Sequence, residues 1–205
     1  MKKVLIINAS ARNERSVSRY MTNVFVEIWE QRNPGDTIIY REVGQDNIPH
    51  VTENWIKGAF TPAELRTDDD REALKVSDQL VAELKEVDVI VVGTPMYNWS
   101  VPSVLKAYID QIIRVNETVL VSKDDLKNPY TGLLKDKNVF LLMVRGNMGY
   151  DPGDFYEHMD FQTEYLKTVF NILGIDDVKH VSLNGSALGH DFLIQAKEKV
   201  EQLLS

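Results

Sequence analysis

The chain has 205 residues, 43% of them hydrophobic, which suits one domain with a sizeable core spanning 1–205 and excludes disorder for most of its length. Its 23 basic against 31 acidic residues leave a net charge of −8, which argues against nucleic acid and anionic membrane as partners. There is no cysteine, so disulfides, thiolate nucleophiles, iron–sulfur clusters and cysteine zinc sites are excluded and a cytoplasmic protein is expected.

Lys2 and Lys3 precede an apolar run, Val4 to Ile7, that stops at Asn8 and is too short for a signal sequence or a membrane span. That run is the first expected strand. A helix should follow from Ser16 or Ser18, because Met21, Val24, Phe25, Ile28 and Trp29 recur at helical spacing and Asn33-Pro34-Gly35 ends the pattern. Thr37 to Tyr40 is the second strand. The segment from Gly44 to Asp69 has no clear period and leads into a helix near Asp70 to Glu86, with Asp68, Asp69 and Asp70 as an acidic first turn. Val87 to Gly93 is the third strand. The next helix is expected from Ser100, with Ser100 as its cap, Pro102 in its first turn and an apolar stripe from Val101 to Ile113. A second long segment, Glu117 to Lys137, precedes the fourth strand, Val139 to Val144. Helices near Asp160 to Leu173 and Leu188 to Leu204 flank the fifth strand, Val178 to Leu183.

Short all-apolar strands alternating with amphipathic helices predict a three-layer α/β sandwich, a parallel five-stranded sheet with helices on both faces. Five strands with right-handed crossovers suggest the order 2-1-3-4-5, inferred from the fold class since order itself is not written in a sequence. Ligands in such sheets sit at the carboxyl ends of the strands, near the switch point, so the loops after strands one, three and four carry the functional question.

After strand one, Asn8 to Ser18 is a polar loop holding Ser10, Ser16 and Ser18 and running into a helix N-terminus. Hydroxyls and free helix amides there suit a phosphate, and equally suit an ordinary helix cap and turn. The loop is neither a Walker A motif nor G-x-G-x-x-G, so a terminal monophosphate fits better than ATP or a Rossmann dinucleotide. After strand three, Pro95-Met96-Tyr97-Asn98-Trp99 offers apolar faces and an amide to a flat heteroaromatic ring, or a turn packed on its neighbours. After strand four, Val144-Arg145-Gly146-Asn147 is followed by Gly149, and the glycines can admit a ring close to backbone or simply make turns. His158 stands among Asp154, Glu157 and Asp160, and His50, His180 and His190 stand alone. The Gly185-Ser186 pair lacks the spacing of a hydrolase nucleophile elbow, and no metal site is expected.

These motifs resemble the FMN-dependent NADH-azoreductase and NADH:quinone oxidoreductase family, which has a flavodoxin-like fold. The resemblance covers nearly the whole chain. Its most specific elements are Val4 to Ser10 with Ser16 and Ser18, and Pro95-Met96-Tyr97-Asn98-Trp99, where the family usually reads P-M-Y-N-F. Met159-Asp160-Phe161-Gln162, Tyr165-Leu166 and Leu173-Gly174-Ile175 extend it.

The resemblance implies that Ser10, Ser16, Val17 and Ser18 hold the FMN phosphate and that Pro95, Met96, Tyr97, Asn98 and Trp99 hold the flavin ring. Val144, Arg145, Gly146 and Asn147 match the family's S-R-G-G ring-edge segment, with Val144 in place of the serine and Asn147 in place of the second glycine. It further implies a homodimer with flavin at the subunit interface, Thr118 to Tyr130 covering the partner's flavin. The implied reaction is ping-pong hydride transfer: NADH reduces the flavin and leaves, and a quinone or an aromatic azo compound then takes the electrons. No protein acid, base or nucleophile is required, since the cofactor carries the chemistry. A flavodoxin-like electron carrier or redox-responsive binding module without substrate turnover is the alternative.

Overall fold

The computed structural model describes residues 1–189 and 192–205. In chain order its elements are β1 (Lys3–Asn8), α1 (Val17–Arg32), β2 (Thr37–Arg41), α2 (Glu53–Phe60), α3 (Asp68–Glu86), β3 (Val89–Pro95), α4 (Ser103–Ile112), β4 (Val119–Val121), β5 (Tyr130–Gly132), β6 (Asn138–Val144), α5 (Thr163–Ile172), β7 (Asp177–Leu183) and α6 (Phe192–Leu204). Short 3-10 turns occupy Ala63–Leu65 and Glu157–Met159.

Five strands form one parallel sheet in the order β2-β1-β3-β6-β7, which is the expected 2-1-3-4-5 once β4 and β5 are set aside. The three central strands are apolar without alternation because helices cover both their faces, whereas β7, at an edge, is half exposed. Alternate residues of each central strand serve opposite layers. Leu5, Ile7, Ile90 and Val92 pack on α3, α4 and α5 through Leu80, Leu84, Tyr108, Leu166 and Phe170. Val4, Ile6, Val89 and Val91 pack on α1 and α6 through Met21, Phe25, Ala196 and Val200.

The register sets the functional edge. Asn8 pairs with Gly93 and Pro95 with Val144, so the loops leaving β1, β3 and β6 emerge side by side. Between β1 and β3 the chain direction of winding reverses, which opens a crevice there. Gly93 lets α1 press into that region: a Cβ on it would lie 2.4 Å from the Thr22 side chain and 3.0 Å from the Ser18 carbonyl. Thr22 in turn donates its hydroxyl to the Asn8 side chain at 2.9 Å, fastening the first turns of α1 over the end of β1.

Both long segments carry structure that the sequence pattern does not reveal. Within 44–69, α2 is capped by Thr52 and sends Trp55 inward, where its indole donates to Gln111 at 2.7 Å beneath the buried Arg114 guanidinium. Within 117–137, β4 and β5 pair antiparallel as a hairpin. Its base is fixed where the Gly132 and Gly174 backbones touch, and Leu134 donates to the Leu173 carbonyl at 2.8 Å.

The helix expected from Ser100 begins instead at Ser103, with Pro102 at the cap position and no side-chain cap. Ser100 sits two residues before the cap position, where its backbone pairs with Tyr97 to close the preceding turn. The helix expected from Asp160 likewise begins later, at Thr163, and the one expected from Leu188 is described from Phe192. His190 lies outside the described residues. Among the described residues no helix is long and apolar enough to cross a membrane.

Candidate functional site

The loop after β1 is drawn close to the sheet by Gly44. A Cβ on Gly44 would fall 2.0 Å from the Ser10 carbonyl oxygen, so only a bare backbone fits, and its amide donates to Asn8 at 2.9 Å. This contact helps to bury Ser10, whose hydroxyl accepts from the Arg12 amide at 3.1 Å. Ser16 is extended and caps α1, accepting from the Arg19 amide at 3.3 Å, and its hydroxyl lies 3.3 Å from that of Ser18. The first turn of α1 contains no acidic residue. Three hydroxyls therefore converge where the leading helix amides lack intrahelical partners, an arrangement that favours an anion.

The loop after β3 is a two-residue hairpin turn. Tyr97 and Ser100 exchange backbone bonds of 2.9 and 3.1 Å, and the two residues between them, Asn98 at φ 47° and Trp99 at φ 66°, both have the left-handed φ that a type I′ turn requires. Asparagine adopts this region readily. Tryptophan does so at a cost of about 1–2 kcal/mol. The turn is held against β6 by the Met96 amide, which donates to the Val144 carbonyl at 2.7 Å.

In the loop after β6, Arg145 is 1% exposed. Its guanidinium donates to Asp160 at 2.6 Å, to Thr163 at 2.7 Å and to Asp151 at 3.1 Å. Its carbonyl accepts the Ser186 amide and hydroxyl, each at 3.1 Å, and the Gly146 carbonyl accepts the Ala187 amide at 3.0 Å. The chain leaving β7 is thus stitched along the loop leaving β6.

These loops enclose a cavity of ≈ 660 Å³. Of the residues singled out in the sequence, Ser10, Ser16, Val17, Ser18, Pro95, Met96, Tyr97, Val144 and Gly146 line it. Asn98, Trp99, Arg145 and Asn147 do not; Asn98 faces a neighbouring apolar recess of ≈ 710 Å³ with Tyr97, Val101, Lys106, Phe161 and Tyr165. Burial, with a contribution from Asp110, pushes the Tyr165 hydroxyl up to about 12, so it stays neutral there. His158 lies elsewhere, in a recess beside Arg145 that also holds Asp154, Glu157 and Asp160.

Sequence reasoning missed part of the wall. Ser186 and Ala187, together with Phe192 and Leu193 from the first turn of α6, close the cavity on the β7 side, and Tyr20 closes it beside the serines. The signal available was the strand-end rule itself, since Gly185-Ser186 follows the end of β7 just as the other three loops follow theirs. The polar end of the cavity offers hydroxyls and amides, with Arg12 and Arg15 at its margin beside Glu14, and the other end offers Met96, Tyr97 and Val144. A phosphate-bearing flat ring matches both ends.

The chain matches the family model described as a flavodoxin-like fold over residues 2–204. An FMN-dependent NADH:quinone oxidoreductase of Trichormus variabilis is 41% identical, over 98% of this chain and 95% of that protein. A protein of the same description from Nostoc punctiforme is also 41% identical, over 90% of this chain and 87% of its own length. Among solved structures, an FMN-dependent NADH-azoreductase of Bacillus anthracis in complex with FMN superimposes with a TM-score of 0.86 at 25% identity, covering 98% of this chain and 97% of that one. The chain belongs to the flavodoxin-like family of FMN-dependent NADH:quinone oxidoreductases.

Proposed function

We propose that the protein is an FMN-dependent NADH oxidoreductase that reduces quinones by two electrons and cleaves aromatic azo compounds to amines. The observation that carries this reading is that the serine cradle and the Pro95–Met96–Tyr97 segment line one cavity. Ser10, Ser16 and Ser18 hold the phosphate through their hydroxyls, and the amides of Val17 and Ser18 at the head of α1 add donors aimed at the same anion. Pro95, Met96 and Tyr97 form one wall for the ring, and Val144, Gly146 and Ala187 the other. Gly146 faces the cavity with no side chain, and a Cβ there would meet nothing nearer than Ala187 at 3.6 Å, so the absence of a side chain leaves room for a ligand and answers no internal crowding.

Bound flavin supplies the redox chemistry, accepting a hydride from NADH and passing two electrons to the acceptor. The protein's own part is to fix the ring, leave one face open to donor and acceptor in turn, and place amides of the turn and of the Gly146 loop near the ring edge, where negative charge gathers on reduction. A quinone consumes one such cycle. An azo bond split to two amines consumes two.

The family's homodimer is part of this reading. Trp99, Phe161, Leu126 and Tyr130 are exposed apolar side chains beside the cavity rim and on the β4–β5 arm, and a second copy is the partner proposed to cover them. Sedimentation of monomer alone at micromolar concentration would contradict it. A cytoplasmic location follows from the cysteine-free composition and from NADH as co-substrate.

Purified protein should be yellow or take up added FMN, and should oxidise NADH at steady state with menadione as acceptor. Flavin with negligible turnover would indicate an electron carrier instead. A colourless protein that takes up no FMN would remove the reading altogether.

A further inference from the structure

We propose that Asp160 and Gln162, which do not line the cavity, are positioning residues for the flavin ring and fix the distance between the turn that bears Tyr97 and the loop that bears Gly146. The proposal rests on the reading of the cavity as a flavin site.

One four-residue segment, 160–163, is bonded to both loops. On the turn side, the Gln162 side-chain amide donates to the Pro95 carbonyl at 2.9 Å and the Phe161 backbone amide donates to the Trp99 carbonyl at 3.1 Å. On the other side, one Asp160 carboxylate oxygen accepts from the Arg145 guanidinium and from the Thr163 hydroxyl, both at 2.6 Å. The second oxygen accepts the backbone amides of Gln162 and Thr163 at 3.0 and 3.1 Å. The carboxylate therefore locks the start of α5 and the guanidinium together, and Arg145 passes that constraint through its own backbone to Gly146.

Two features show that this junction does more than fill space. Gln162 is fully buried, yet among the described residues its side-chain oxygen has no hydrogen-bond partner. A methionine would occupy similar volume without that penalty, so what the glutamine contributes is the bond to Pro95. The turn it braces also holds Trp99 in a left-handed conformation, which persists only where surrounding contacts over-determine it. A ring wedged between two loops needs its walls fixed to within a fraction of an ångström, and residues behind the walls set that tolerance.

The test uses full-length protein loaded with FMN and compares Gln162→Met, Asp160→Asn and the double variant with wild type. Leu84→Ala, at a buried position of α3 that lines neither the cavity nor the 160–163 junction, is the control for lowered thermal stability. The FMN dissociation constant, the visible spectrum and the midpoint potential of the bound flavin are measured for each. Each single variant is expected to raise the FMN dissociation constant about tenfold and to shift spectrum and potential, while the double variant reaches about thirtyfold because both act through one junction. The FMN-to-riboflavin affinity ratio should stay at its wild-type value, since the phosphate end is untouched. Leu84→Ala should lower the melting temperature with spectrum and potential unchanged. If Asp160→Asn does not fold, Thr163→Val, which removes one hydroxyl from the same junction, replaces it. Unchanged spectrum, potential and affinity in Gln162→Met would overturn the proposal, as would single effects that simply multiply to about a hundredfold in the double variant. Wild-type protein that takes up no FMN would instead defeat the flavin reading itself.

Discussion

Gly93 on β3 and Thr22 on α1 meet with no room for a single added carbon. A Cβ on Gly93 would stand 2.4 Å from the Thr22 methyl, and Thr22 cannot swing aside without giving up its hydroxyl bond to Asn8. The helix whose first turn forms the proposed anion site is therefore seated by the absence of a side chain in the sheet beneath it. Gly93→Ala should destabilise the fold by about 1–3 kcal/mol through overpacking. Because the displaced element carries Ser16 and Ser18, FMN retention should fall as well. Denaturant melts combined with flavin titration check both, and unchanged FMN affinity would show that α1 need not seat so tightly.

Ser16 and Ser18 share the proposed anion site but differ in structural duty. Ser16 caps α1, so Ser16→Ala should cost about 1 kcal/mol of stability in the apoprotein. Ser18 has no capping role, and Ser18→Ala should leave the melting temperature nearly unchanged. Each should weaken FMN binding by about tenfold or more, the value of one charge-assisted hydrogen bond, and leave riboflavin binding close to wild type. Calorimetric titration with the two flavins separates the outcomes; an equal loss for riboflavin would mean that the serines do not face the phosphate.

The Asn98–Trp99 turn makes a prediction of opposite sign. Trp99→Gly would create an Asn-Gly pair, the preferred sequence for a type I′ turn, and relieve a left-handed tryptophan. The melting temperature should hold or rise, by up to about 1 kcal/mol of stability, while FMN affinity stays close to wild type, since the exposed indole does not line the cavity. A clear drop in melting temperature would show that the indole contributes more by packing than its backbone loses by strain.

Acid stability should depend on Asp70. Its carboxylate accepts the Thr67 amide at 2.9 Å and the Thr67 hydroxyl at 2.8 Å in a capping box, and pairs with Lys57 at 3.1 Å. The Thr67 backbone bond, then its hydroxyl and Lys57, push the pKa down from 3.8 to about 2. A folded pKa below the unfolded one means stabilisation that is fully present above pH 3.8 and is lost as pH falls through about 2. Asp70→Asn should therefore flatten the acid limb of a stability-versus-pH curve across that window. Asp36 and Glu117, also held below their ordinary values, keep a remainder of the slope.

Elements with a local cause were legible in the sequence. The central strands announce themselves as apolar runs, Ser16 caps α1 and the acidic turn at Asp68 to Asp70 opens α3, whereas the order of the five parallel strands is not written in the sequence and comes from the fold class. Features decided by distant partners were not. Ser100 looks like a helix cap, but it closes the turn with Tyr97 and α4 starts two residues beyond the position it would cap. Thr52 and Trp55 read as loop because α2 is stabilised by Gln111 and Arg114, more than fifty positions away in the case of the Trp55–Gln111 bond. Arg145 suggested a ligand contact, and its guanidinium is spent on Asp160, Thr163 and Asp151, which no spacing rule connects to it. Phe192 and Leu193 reach the cavity through the return of α6 across the sheet, a path that is visible once the fold is closed.

That return has a consequence for how the cofactor is acquired. The cavity draws its walls from Ser10 at one end of the chain and Leu193 near the other, with Ser186 and Ala187 bonded along the loop after β6. These walls come together only when the fold has closed from β1 to α6, so FMN uptake should require the finished fold, and unfolding of α6 alone should release the cofactor.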